Sequence, residues 1–137
     1  MTPEQVCQAM EDALTRHDAE TIASLYTETA VLESPLAGRV TGRAAILDAQ
    51  RGLLRALPDA LWTFEPPLID GRRIAVVGQA SGTHSAPIMG LAASGRSFRF
   101  SIVFLVDLEG DHIVRDRRFY DFTGLLIQLG VLKARPA

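Results

Sequence analysis

The hydrophobic period of this chain changes once, near Pro58, and that change limits what it can fold into. Before it, apolar residues recur at helical spacing: Val6, Met10, Ala13 and Leu14 in one segment, then Ile46, Leu47, Gln50, Leu53, Leu54 and Leu57 in another. After it they alternate. Trp62 and Phe64 start the pattern, and Phe98, Phe100, Ile102, Phe104 and Val106 carry it furthest, separated by Arg99, Ser101, Val103 and Leu105. Helices grouped ahead of strands predict an α+β domain with the helices packed on an antiparallel sheet.

Local signals divide these two halves. Thr2-Pro3-Glu4-Gln5 reads as a helix start, with Thr2 as cap, Pro3 in the first turn and Gln5 closing a capping box. Asp18 caps a short second helix that buries Ile22, Leu25 and Tyr26. Ala30 to Ser34 reads as a short strand stopped by Pro35, and a third helix runs from Thr41-Gly42 to Pro58-Asp59. Strands are expected over Ile74–Ser85, Phe98–Val106 and His112–Asp121, with a loop over residues 86–95 and a short helix over Thr123–Leu129. Gly78, Gly82 and Gly95 are expected at bulges or bends that curve the sheet.

The length of 137 residues suits one domain, expected over 1–137, and 47% hydrophobic residues is high for that size. The excess predicts an internal pocket, a subunit interface, or both. A net charge of −2 argues against general nucleic-acid binding. Cys7 is the single cysteine, and no signal peptide or apolar run of membrane-spanning length is visible, so a cytoplasmic protein away from membranes is expected.

The chemistry concentrates at the end. Asp121 closes the last strand and an apolar segment follows that can fold over it. Phe119, Phe122, Leu125 and Leu126 are expected to desolvate this carboxylate and raise its pKa toward neutrality, the condition for one group to serve as base and then acid. No metal-ligand cluster, phosphate loop or nucleophile triad is evident.

Five segments together resemble one family. Leu25-Tyr26-Thr27-Glu28-Thr29-Ala30-Val31-Leu32-Glu33-Ser34-Pro35 is similar to its LYADDAVFHDP segment, and Thr41-Gly42-Arg43-Ala44-Ala45-Ile46 to its GREAI helix start. Gly82-Thr83-His84 matches its GTH element, and Ser94-Gly95-Arg96 its PTGR turn. Asp121 to Gly130 matches the closing DxxGLLxQLG. The family is the SnoaL-like polyketide cyclase branch of the nuclear transport factor 2 (NTF2-like) superfamily. The resemblance implies a cone-shaped α+β barrel: a strongly curved antiparallel sheet, three N-terminal helices and a short C-terminal helix. It also implies a homodimer with a pocket between helices and sheet.

It further implies cofactor-free aldol-type cyclisation, isomerisation or related proton transfer on an apolar oxygenated small molecule. Asp121 stands at the position of the family's general acid/base, and His84 at that of an assisting pocket histidine. Tyr26, Glu33, Trp62, Phe98, Phe100, Ile102, Phe104, Arg117, Phe119 and Leu125 are the expected pocket residues. The family pattern carries Glu and Trp where this chain has Arg115 and Arg117. An Arg117 facing the pocket would pair with Asp121 or bind an acidic or phenolic group. Two alternatives are a non-catalytic binding module or accessory dimer that holds a hydrophobic metabolite, and an epoxide hydrolase using Asp121 with Glu33 or Arg99. Tyr120, alternating with Asp121, is expected at an interface on the opposite face.

Overall fold

The computed structural model describes residues 1–88 and 90–133. Met89, inside the loop expected over residues 86–95, lies outside the described residues. Helix α1 (Pro3–Thr15) begins as its sequence predicts: the Thr2 hydroxyl accepts from Gln5 N and the Gln5 side chain reaches back to Thr2 N. Helix α2 (Ala19–Ser24) is capped by Asp18, whose carboxylate accepts from the backbone and hydroxyl of Thr21. Between them His17 takes a positive φ of 56° and its Nε2 bonds Ala60 O at 2.9 Å, tying this corner to the residue before the third strand.

Strand β1 (Tyr26–Ser34) starts four residues earlier than expected and takes Tyr26 out of the second helix. It turns at Pro35 into β2 (Gly38–Thr41). Helix α3 (Arg43–Ala56) follows, then β3 (Leu61–Phe64), β4 (Leu68–Asp70), β5 (Arg73–Thr83), β6 (Ser97–Glu109), β7 (His112–Phe119) and helix α4 (Phe122–Gln128). These form one curved sheet in the order β2-β1-β7-β6-β5-β3, with β4 on β5. All pairings are antiparallel except β1 with β7, which is parallel. The first and last strands therefore pair inside the sheet, bringing Leu32 opposite Asp116 and Glu33 opposite Arg117.

The long hairpin β5–β6 pairs without interruption from Arg73↔Asp107 to Thr83↔Ser97. Gly78 and Gly82, expected at bulges, are therefore regular strand residues. Their absent side chains leave room for neighbours: a Cβ on Gly78 would meet the Phe64 ring at 3.1 Å, and one on Gly82 would meet Phe98 Cζ and Asp59 Oδ1 at 3.1 Å. The bulge that matters lies elsewhere. Asp107 pairs with Arg115 but Leu108 with Ile113, which leaves Val114 without a partner on β6. The inward set on β7 thereby switches from Ile113 to Asp116 and Arg118.

The core lies between the concave face of the sheet and α1 to α3, around Val6, Leu14, Ile22, Ile46, Phe104 and Ile113. A smaller cluster, Phe98 with Leu125 and Leu129, seats α4 on the end of β6. None of the helices described is long and apolar enough to cross a membrane.

Candidate functional site

A cavity of about 220 Å³ opens between these two clusters. Helix α3 contributes Gln50 and Leu53, the sheet contributes Trp62, Ala80, Phe98, Phe100 and Ile102, and α4 with its C-cap contributes Leu125, Leu126 and Leu129. Leu36 and Ala37 from the β1–β2 turn and Pro87, Ile88 and Leu91 from the loop after β5 complete the wall. Most of this wall is hydrocarbon, so its few polar groups decide what it can do.

His84 is one of them and is fully buried. Its Nδ1 receives the Ser94 backbone N–H at 3.3 Å and lies 3.0 Å from Ser94 Oγ. A backbone N–H can only donate, so Nδ1 is an acceptor and the ring carries its proton on Nε2. Ser94 Oγ is itself held by the Arg96 N–H at 3.2 Å. The Ser94-Gly95-Arg96 turn, where Gly95 takes a φ of +68°, thus sets the tautomer of a cavity residue. His84 Nε2 has no partner among the described residues.

Arg118 is the second. It lines the cavity yet is only 6% exposed. It donates to Asp116 Oδ2 from Nη2 at 3.1 Å and from Nε at 3.3 Å, and to Tyr26 Oη at 3.4 Å. Tyr26 Oη donates to the same Asp116 oxygen at 2.5 Å. With its amide oxygen turned to the guanidinium, Gln50 accepts from Arg118 at 2.8 and 3.1 Å. The Phe104 ring centroid lies 5.0 Å from the Arg118 Cζ. Burial alone disfavours the Arg118 charge, but Asp116 and Tyr26 outweigh it and hold the guanidinium protonated. Burial, followed by the Asp116 charge, pushes the Tyr26 phenol well above its ordinary value. The cation is thus closed off by its own partners, and the Asp116–Arg118 pair is neutral as a unit.

Tyr120 is the third. It lines the cavity, accepts the Leu36 N–H at 3.2 Å, and burial raises its phenol pKa. Its expected place at an interface is therefore corrected: the phase switch at Val114 turns residues 116, 118 and 120 inward.

Of the residues singled out in the sequence, His84, Trp62, Phe98, Phe100, Ile102 and Leu125 share this cavity. Tyr26 and Phe104 are buried against Arg118 rather than lining it. Glu33, Arg117 and Phe119 do not line it. Glu33 faces Arg115 at 3.6 Å, and Arg117 lies 4.0 Å from Asp107, which also holds Arg73 at 2.7 Å. Phe119 is 53% exposed. The expectation that Arg117 reaches the pocket is corrected by one position, to Arg118.

Asp121 is also outside the lining. It is the N-cap of α4, exposed, with Oδ1 accepting from Gly124 N at 2.8 Å. The apolar cover expected for it is not there, because Phe119 points outward. Arg99, proposed with Asp121 for epoxide opening, is exposed and bonds Gln79 at 3.2 Å. Gln50, Asp116, Arg118 and Tyr120 were not among the expected site residues. The Asp116-Arg117-Arg118-Phe119-Tyr120 alternation carried the signal, but only a known bulge fixes which half faces in.

The match that decides the family spans nearly the whole chain: residues 4–129 fit the model of the SnoaL-like polyketide cyclases. This chain belongs to the SnoaL-like polyketide cyclase family.

Solved structures agree on the fold of this SnoaL-like protein. A protein from Jannaschia sp. CCS1, assigned as a SnoaL-like polyketide cyclase, superposes with a TM-score of 0.85 at 17% identity, covering 98% of this chain and 93% of that one. AclR from Streptomyces galilaeus, assigned as a hydroxylase, gives 0.82 at 22% identity, with 98% and 88% covered. IdmH from Streptomyces antibioticus, assigned as a polyketide cyclase, gives 0.77 at 24% identity, with 95% and 99% covered. No curated protein matches the chain.

Proposed function

We propose that this SnoaL-like protein is a cofactor-free acid–base enzyme whose cavity holds an apolar, oxygenated small molecule. The reaction is an aldol-type ring closure, an isomerisation or a related proton transfer. The observation that carries the reading is fully buried His84, on the wall of an apolar cavity, with Nε2 free of any described partner. In this tautomer Nε2–H donates to a carbonyl oxygen and stabilises the charge that oxygen gains as an enolate forms. The α-proton needs a base. Asp121 takes that role only when its carboxylate leaves the Gly124 N–H, which costs the cap, about 0.5–2 kcal/mol. The enolate carbon then attacks a second carbonyl of the same molecule, and the alkoxide takes the proton back. No other reactant is required.

Asp121→Asn keeps the cap and removes the base. The expected result is unchanged ligand affinity and a turnover at least about a hundredfold lower, the usual scale of acid–base catalysis. Unchanged turnover removes Asp121 from the mechanism.

The exposure of Asp121 favours a second reading, a binding module that holds a hydrophobic metabolite without converting it. On that reading a ligand raises the melting temperature and is recovered intact by mass spectrometry. Either reading is proposed for a homodimer joined through the outer face of the sheet, where Phe119 lies opposite Val103 and both are exposed.

A further inference from the structure

Gly52 is the one glycine of this chain that its surroundings do not explain. Seven of the eleven glycines take a positive φ, and at Gly78, Gly82 and Gly124 a Cβ would crowd a neighbouring residue. Gly52 lies inside α3 without a positive φ, and a Cβ built on it meets no described atom within 4 Å. A glycine inside a helix costs stability relative to alanine. Here nothing in the fold needs the missing side chain, so the open space itself is the feature to account for.

That space belongs to the mouth of the cavity. Among the described lining residues three are also exposed to solvent: Asp48, Gly52 and Pro87. A residue that lines a cavity and also meets bulk water stands at its opening. Asp48 and Gly52 lie four residues apart, neighbours on one face of α3, and Pro87 belongs to the loop after β5.

The charge at this opening is negative. Asp48 is the one carboxylate of the described lining, and it makes no hydrogen bond or ion pair with a described residue. Arg51, three residues on, is held instead by Glu20 at 2.6 Å. The one arginine of the lining, Arg118, is neutralised by Asp116 at 3.1 Å. The wall therefore offers no free cation to offset Asp48.

We infer that ligands enter the cavity past Gly52 of α3, and that the Asp48 carboxylate makes this entrance selective against anions. The inference rests on the reading of the cavity as a ligand site and adds its route of entry and a specificity-determining residue. A neutral or cationic molecule passes Asp48 without penalty, whereas an anion is repelled as it leaves bulk water for the low-dielectric wall.

The test uses two dyes of one skeleton on the intact protein: neutral N-phenyl-1-naphthylamine and 8-anilinonaphthalene-1-sulfonate, which carries one added sulfonate. Both brighten in apolar surroundings, so stopped-flow fluorescence reads their entry and titration reads their affinity. Gly52→Phe is expected to slow association of the neutral dye at least about tenfold, as a blocked entrance must wait for the ring to swing aside. Gly52→Ala is expected to raise the melting temperature by about 2–5 °C, because it restores helix propensity without a clash. Asp48→Asn is expected to tighten binding of the sulfonate about fivefold and to leave the neutral dye unchanged. That gain should vanish at about 1 M salt. Uptake of the neutral dye by Gly52→Phe at the parent's rate overturns the inference. So does a Gly52→Ala variant that melts lower than the parent, or an Asp48→Asn variant that keeps the parent's ratio of affinities. Each of those results leaves a ligand cavity standing. A parent protein that binds neither dye overturns the cavity reading and the entrance together.

Discussion

Arg118 and Asp116 stand two residues apart on β7, point the same way into the interior, and meet at 3.1 Å with side chains only 5% and 0% exposed. An ion pair this deep stabilises little on balance but is expensive to break from one side, because the survivor keeps its charge without its partner. Their common direction follows from the bulge at Val114, and their burial from the parallel pairing of β1 with β7, which sets Tyr26 over them.

Arg118→Met is therefore expected to destabilise the protein by about 3–5 kcal/mol, the range for half-broken buried pairs. The double variant Asp116→Asn/Arg118→Met loses less than Arg118→Met alone. Tyr26→Phe, which removes one donor from Asp116, costs about 1–3 kcal/mol. Urea unfolding of the three variants measures this. A double variant weaker than the single shows that the pair is not the unit that matters.

Asp121 is expected to separate two roles. Asp121→Ala removes the α4 cap and lowers stability by about 0.5–2 kcal/mol, whereas Asp121→Asn, an equally good cap, stays near the parent. Both lose turnover if the carboxylate is the base. Thermal melts beside rate measurements decide it. Equal melting temperatures for the two variants contradict the cap as the structural role of Asp121.

Alkaline pH is expected to weaken the fold in two stages. Burial, and then the neighbouring Glu11 carboxylate, push the Cys7 thiol up to about 12. An unfolded thiol titrates near about 8.5. The folded value is the higher one, so the contribution of Cys7 is complete below the unfolded value and is lost as pH rises toward the folded one. Tyr26 and Tyr120, also raised, join above about pH 10. Cys7→Ala should flatten the fall in stability between about pH 9 and 10 and leave the later stage. Denaturation midpoints across pH 7 to 11 test this, and an unchanged slope refutes it.

The exposed pair of Phe119 and Val103 on the convex face is expected to be covered by a second copy. Phe119→Asp should convert a dimer into a monomer in sedimentation equilibrium at micromolar concentration, with the cavity and its ligand affinity unaffected. A parent protein that is already monomeric there rules the interface out.

Where local chemistry decides structure, the residues could be read directly. Thr2 and Gln5 close their capping box, Asp18 caps α2, and Phe98 to Val106 alternate as they must to bury one face. The cavity wall was legible for the same reason, since a strand with period two shows which side its rings take. The β7 side chains were not. Arg115, Asp116, Arg117 and Arg118 are all polar, so no hydrophobic contrast marks the inward set, and one extra residue at Val114 reverses it.

By itself the sequence determined the four helices and the longer strands in their order, though not the short β2 and β4, the apolar side of β6, and through its closing segment the family. Each depends on contacts within a few residues or on a period that repeats. Only the tertiary structure decided that Arg118 and not Arg117 enters the cavity wall, that Asp116 and Tyr26 neutralise it there, and that Asp121 caps a helix at the surface. Those outcomes depend on a bulge set by pairing with β6 and on a parallel contact between the first and last strands, and long-range register leaves no local mark in a run of like residues.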